Sequence, residues 1–268
     1  MRLRVDHRTR YRYDSAASDV IQALRLAPGE HDGQHVVDWR IETDVDGRFR
    51  ESVDAFGNRV TMFYADRAVA AVTIGVTGIV ETTDTAGVVR APEPLPPAIF
   101  LRSTKLTAPE PAITMLAGRF VGATKLAALH GLCAALYTEM RFEVGATDAQ
   151  TTAAAALGAG HGVCQDFAHI FVAAARHLGV PARYVSGHLA RTEQQEAAHA
   201  WAEALAPDIG WIAFDPTNGI CATDSYLRVA VGLDYLDAAP IRGARRGGGG
   251  EQLSVTVDAE AAMRQSQG

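Results

Sequence analysis

The chain has 268 residues, 48% of them hydrophobic, and a formal net charge of −6. That size and balance suit a globular protein with one large core or two smaller ones, and the acidic excess argues against nucleic acid as a ligand. Three cysteines, Cys133, Cys164 and Cys221, make no even disulfide framework, and no run approaches the roughly 18 apolar residues of a membrane span.

Met1 to His7 alternates like a strand and carries no apolar signal region, so a cytoplasmic location is expected, where Cys164 stays a free thiol. Residues 1 to 98 read as β. Arg2 to Tyr13, Val36 to Val45, Arg59 to Ala65 and Ala68 to Val80 are rich in branched and aromatic residues, with turn signals at Asp46-Gly47 and Phe56-Gly57-Asn58. A small β-sandwich-like domain is predicted here, bounded by the stiff, proline-rich stretch Ala91 to Pro97.

From Ile99 the pattern turns helical, and a second domain is predicted over 99–268. Its core would span about 130–240, with a final strand at about 252–258. Leu129, Leu132, Leu136 and Met140 share one face of a helix over Leu126 to Met140, and Thr151 to Ala159 is a shorter alanine-rich candidate. Phe167, Phe171, Ala174, Ala175 and Leu178 recur at helical spacing after Cys164, and Gly179 and Pro181 supply a stop. Cys164 therefore falls in the first turn of a helix aimed at the core. Two strands follow, one around His199 to Leu205 and one from Gly210 to Asp215, joined by a hairpin loop at Pro207 to Ile209. Arg242 to Gly250, basic and glycine-rich, reads as a loop.

Cys164, His199 and Asp215 together supply a thiol, an imidazole and a carboxylate. These are the parts of an activated nucleophile, its general base and the group that orients the base. At a helix start the unpaired N–H groups and the helix dipole stabilise a thiolate, most when an imidazolium is adjacent. The same N–H groups would receive the oxyanion of a tetrahedral intermediate. Blander roles exist for each residue: a buried packing thiol, an ordinary strand histidine, an aspartate that fixes the Asp215-Pro216-Thr217-Asn218 turn. The histidines at 161, 169, 177, 188 and 199 invite a metal reading. No Cys-x-x-Cys, His-Glu-x-x-His or calcium-loop spacing occurs, so no metal and no cofactor is expected. His169 reads as a packed helix residue.

The blocks Gly162-Val163-Cys164-Gln165-Asp166-Phe167, Gly179-Val180-Pro181-Ala182-Arg183-Tyr184, His199-Ala200-Trp201 and Gly210-Trp211 through Gly219 occur in the order seen in the transglutaminase-like superfamily. The chain resembles in particular its bacterial branch of candidate cysteine proteases. Tyr11-Arg12-Tyr13, Leu24-Arg25-Leu26 and Asp54 to Asn58 resemble the N-terminal module that accompanies that branch. The resemblance implies an α+β fold with a papain/transglutaminase-like core, in which a nucleophile helix packs on an antiparallel sheet. It also implies Cys164 as nucleophile, His199 as base and Asp215 as orienter. Gln165, Trp201 and His188 are candidates for the oxyanion hole or the cleft wall. Two departures stand out: Leu233 replaces the Arg of the branch's Gly-Arg-Asp-Tyr block, and none of the three tryptophans, Trp39, Trp201 and Trp211, falls in the region upstream of the cysteine where animal transglutaminases place an oxyanion donor.

The expected function is thiol-dependent acyl transfer from an amide or peptide carbonyl, with hydrolysis by a protease or amidase favoured. Protein-glutamine transglutaminase or peptide-ligase chemistry uses the same thioester, and a non-catalytic binding scaffold is the alternative outside enzymology. The expected partner is a peptide or protein amide substrate, with neither nucleic acid nor membrane.

Overall fold

The computed structural model describes residues 1–190 and 198–262. The first part of the chain forms β1 (Arg2–Ala27), β2 (Gln34–Thr43), β3 (Gly47–Val53), β4 (Arg59–Ala65), β5 (Val69–Thr82) and β6 (Val88–Val89). Next come α1 (Pro111–Gly118), α2 (Lys125–Glu139), β7 (Arg141–Phe142), α3 (Ala153–Ala159), β8 (His161–Gly162) and α4 (Cys164–His177). The remainder forms β9 (Ala182–Leu189), β10 (His199–Ala206), β11 (Gly210–Asp215), β12 (Ile220–Cys221), β13 (Tyr226–Gly232), α5 (Tyr235–Ala238), β14 (Ile241–Gly247) and β15 (Glu251–Ala261).

The first sheet is built around β1. Alternation along it turns Leu3, Val5, His7 and Thr9 inward and leaves arginines between them outside. Its first half pairs with β5 on one side and β15 on the other, and its second half with β4 and β14. The register breaks between the halves, where Asp19 stands at φ 50°. That irregularity lets one strand serve two directions, and the sheet curls around Tyr13, Val20, Leu24, Phe63, Val72 and Ile74.

Two expectations need correction here. Arg242 to Gly250 is not a loop: Ile241–Gly247 pairs with β1, and Gly247, Gly248 and Gly249, at φ 71°, 88° and 68°, make the tight turn into β15. Nor does the division at 98/99 separate two sheets along the chain, because β14 and β15 complete the first sheet rather than belonging to the second domain. Unsatisfied edges of β1 draw them back, since a buried strand needs both sides of its backbone paired.

The second sheet has the order β12-β11-β10-β9-β13, with β6 added to β11. Helix α4 crosses one face. Its Phe167, Ile170, Phe171 and Ala174 share a core with Ala202, Ala204, Ile212 and Phe214, and small residues on β10 let the helix approach closely. Each buried Phe or Ile side chain contributes about 1.5–3 kcal/mol relative to exposure. Helices α1, α2 and α3 surround α4 and give its remaining faces apolar neighbours, which is why the helix is buried almost throughout.

The two sheets share a second core in which Leu3, Val5 and Val80 meet Tyr184, Ala200, Leu227 and Ala230. Polar groups reinforce it. The Asn58 side chain donates to the Val231 carbonyl and accepts its N–H, and Gln34 does the same with Arg228. Glu93, in the proline-rich connection, reaches Arg183 at 2.6 Å. Arg183 also pairs with the fully buried Glu203, which takes Arg228 on its other oxygen.

Candidate active site

The α4 start is set by a reciprocal contact across its first turn. Asp166 Oδ2 accepts the Val163 N–H at 2.8 Å and the Thr147 hydroxyl at 2.6 Å. This is an acidic group serving the positive end of a helix. Burial pushes the Asp166 carboxyl up, against the pull of those donors. Asp166 thus caps the helix and makes no ion pair with Arg183. Among the described residues the backbone N–H groups of Cys164 and Gln165 have no acceptor, so the helix start presents two free donors beside a half-buried free thiol.

His199 opens β10, opposite Gly187 of β9. Asp215 closes β11, where Pro216 breaks the strand and Thr217 and Asn218 turn their amides back onto it. The three expected residues come together. His199 Nε2 donates to Asp215 Oδ2 at 2.6 Å, and the Cys164 side chain hydrogen-bonds the same ring. With Nε2 committed to Asp215, Nδ1 is the ring nitrogen left for the thiol.

Burial of His199 works against its charged form, but hydrogen bonds and charge from Asp215 and Cys164 overcome that and raise its pKa to about 9. Asp215 is fully buried, which favours its neutral form. The His199 proton, together with donors from Tyr226 and Asn218, nevertheless holds its carboxyl below the usual range. The surroundings thus favour the imidazolium form of His199, with a buried carboxylate behind it.

Tyr226 was not anticipated from sequence. Its hydroxyl donates to Asp215 Oδ2 at 2.7 Å from the first residue of β13. Asn218 Nδ2 donates to the same oxygen at 2.6 Å, a bond foreshadowed only by the Asp215-to-Asn218 turn.

The other candidates divide. Trp201 is buried against the site, its ring stacked near that of His199 at 6.1 Å between centroids. Gln165 is half-buried with its side-chain amide directed to the Asp148 carbonyl at 3.4 Å, away from an oxyanion role. His188 does not line a cleft: it is 3% exposed, packed edge-on against His7 of the first sheet at 5.4 Å. Burial lowers its pKa to about 3. His169 is buried in α4 and accepts the Tyr235 N–H at 3.0 Å. Leu233 serves through its backbone, accepting from Arg176 and donating to Asp237. Burial pushes the Cys133 thiol up to about 12, in keeping with a packing role. The segment 191–197, which would bear on cleft access, lies outside the described residues.

A thiol at the start of a buried helix, beside an imidazole and a carboxylate on adjacent antiparallel strands, defines the papain/transglutaminase-like core. The chain belongs to the transglutaminase-like superfamily. The superfamily model matches residues 115–216, and the bacterial transglutaminase-like N-terminal region matches residues 3–81. The chain is 31% identical over 274 residues to the protein ML0607 of Mycobacterium leprae, covering 96% of this chain and 98% of that one. It is 30% identical over 273 residues to Rv2569c of Mycobacterium tuberculosis, covering 90% and 87%. The fold is similar to that of a candidate cysteine protease from Cytophaga hutchinsonii, with a TM-score of 0.79, 21% identity and coverage of 97% of this chain and 90% of that one.

Proposed function

We propose that this protein is a thiol-dependent acyl-transfer enzyme that attacks amide or peptide carbonyls, with water as the acceptor. The observation that supports it most is the chain of contacts from the Cys164 thiol to His199, and from His199 Nε2 to Asp215 at 2.6 Å.

In the proposed reaction the Cys164 sulfur bonds to the carbonyl carbon, and the carbonyl electron pair moves to oxygen. In this reading the N–H groups of Cys164 and Gln165, which have no acceptor among the described residues, receive that oxyanion. On collapse the C=O re-forms and the C–N bond breaks. The proton held on His199 Nδ1 goes to the leaving nitrogen, and ammonia or an amine departs. Asp215 keeps Nε2 protonated throughout, so Nδ1 remains the nitrogen that exchanges protons. Water then gives a proton to Nδ1 and its oxygen to the thioester carbon, releasing a carboxylic acid and restoring the thiolate.

The test is iodoacetamide alkylation of Cys164 across pH, read by peptide mass spectrometry, in wild type and His199→Ala, followed by assay of simple amides for ammonia and for amine-linked products. Rapid alkylation near neutrality that depends on His199 supports the reading, and ammonia without amine-linked product supports water as acceptor. A Cys164 accessible to reagent but equally sluggish in both proteins would favour the scaffold instead.

A further inference from the structure

Asp215 Oδ2 accepts three donors at once: His199 Nε2 at 2.6 Å, Asn218 Nδ2 at 2.6 Å and the Tyr226 hydroxyl at 2.7 Å. A carboxylate oxygen has two lone pairs, so these donors divide its charge among them. Orientation of the carboxylate does not depend on the tyrosine. Oδ1 is held by the backbone N–H groups of Thr217 at 2.9 Å and Asn218 at 3.2 Å, and the Asn218 side chain grips Oδ2 as well. The hydroxyl's distinct contribution is to draw charge from the oxygen that His199 uses.

Tyr226 is well fixed for that task. It is 7% exposed, its ring stands edge-on to Trp201 at 5.3 Å, and it lies 6.0 Å from the His199 ring. Among the described residues the titratable groups facing His199 are then Cys164 from α4, Asp215 from β11 and Tyr226 from β13.

We infer that Tyr226 is a positioning residue acting through Asp215: its hydroxyl limits how strongly the carboxylate holds His199, and so how readily His199 passes a proton to the leaving nitrogen. The inference deepens the function proposed above and rests on it. Removing the hydroxyl leaves Oδ2 more charge to offer Nε2–H, so the imidazolium becomes more stable and a weaker acid. Had the tyrosine served only to aim the carboxylate, its loss would instead weaken the His199–Asp215 bond.

These alternatives move the His199 pKa in opposite directions. Ring-nitrogen NMR titration of the full-length protein should give a pKa about half a unit to one unit higher in Tyr226→Phe than in wild type. Fluorotyrosine at position 226, nearly isosteric and a stronger donor, should lower it. An unchanged or lower pKa in a folded Tyr226→Phe protein overturns the inference. Should that variant not fold, the fluorotyrosine protein decides alone, with an unchanged or higher pKa counting against it. Alkylation of Cys164 that ignores His199→Ala would sink the proposed function, while the titration would still report on Tyr226 separately.

Discussion

The carboxylate of Asp166 occupies the space that a side chain at position 162 would need: a Cβ on Gly162 would lie 2.5 Å from Oδ2. Glycine here is a matter of room rather than of backbone dihedral, and the contact it permits sets the start of α4. Gly162→Ala should destabilise the protein by about 1–3 kcal/mol, seen as a lower urea midpoint, and slow Cys164 alkylation at neutral pH. Asp166→Ala, which removes the cap without crowding it, should cost about 0.5–2 kcal/mol. If Gly162→Ala leaves both stability and alkylation unchanged, the helix start has freedom that this contact denies it.

Asp215→Asn keeps the shape at the end of β11 but removes the charge that sustains the His199 imidazolium. NMR titration should find the His199 pKa lowered by about 1–3 units from its raised value. Amide hydrolysis, once a substrate is in hand, should fall by about 10²–10⁴-fold, the scale of losing correct proton handling. Undiminished turnover would remove Asp215 from the proposed mechanism.

His199 also links folding to alkaline pH. Its folded pKa of about 9 lies above the unfolded value near 6.5, so the stability it contributes is fully present below pH 6.5 and is lost as pH rises through 9. Urea unfolding from pH 6 to pH 10 should show a decline over that window that His199→Phe lacks. A parallel decline in both proteins would assign the loss to other groups.

On the acid side the buried pair His7 and His188 acts with the opposite sign. Burial lowers their pKa values to about 4 and about 3, so the unfolded chain binds protons that the folded one refuses. Stability from keeping them neutral is present above pH 6.5 and falls as pH drops from 6.5 toward 4. Replacing His188 with Phe should flatten that part of the profile; an unaltered acid limb would show that the pair makes no net contribution.

Glu203 is fully buried between Arg183 and Arg228, whose charges outweigh its burial and lower its pKa to about 2. Glu203→Gln should cost about 3–5 kcal/mol by leaving two guanidinium groups undercompensated. Glu93, 29% exposed and paired with Arg183, should cost distinctly less on mutation to Ala. Equal urea midpoints for the two variants would mean that burial does not govern the cluster.

The site was legible where its chemistry coincides with local pattern. Cys164 begins an amphipathic run with a glycine stop, and Asp215 ends a strand at a proline turn, so short windows announce both. Tyr226 could not be read that way, because β10 and β9 lie between β11 and β13 in the sheet and only the folded arrangement brings its hydroxyl to Asp215. The same holds for His188, whose burial is decided by His7 in the other sheet. Strand β14 was hidden by composition: Arg242-Gly243-Ala244-Arg245-Arg246 has little strand propensity, and pairing with β1 overrides it. Strand β1 was read too short for a related reason. Asp14 to Ser18 lacks branched residues, yet Asp14 and Ser15 bond to Gly250 and Gly248 across the turn before β15.

The pairing of Leu3 with Ala261 makes the segment that carries Cys164, His199 and Asp215 an insertion held between the strands of another sheet. During synthesis, the opening strand must wait with one side unpaired while the thiol-bearing helix and its sheet are made. So long-range a closure is slow. The shared core, to which Ala259 of β15 contributes beside Leu3 and Val5, can be completed only after the Cys164 helix has been made.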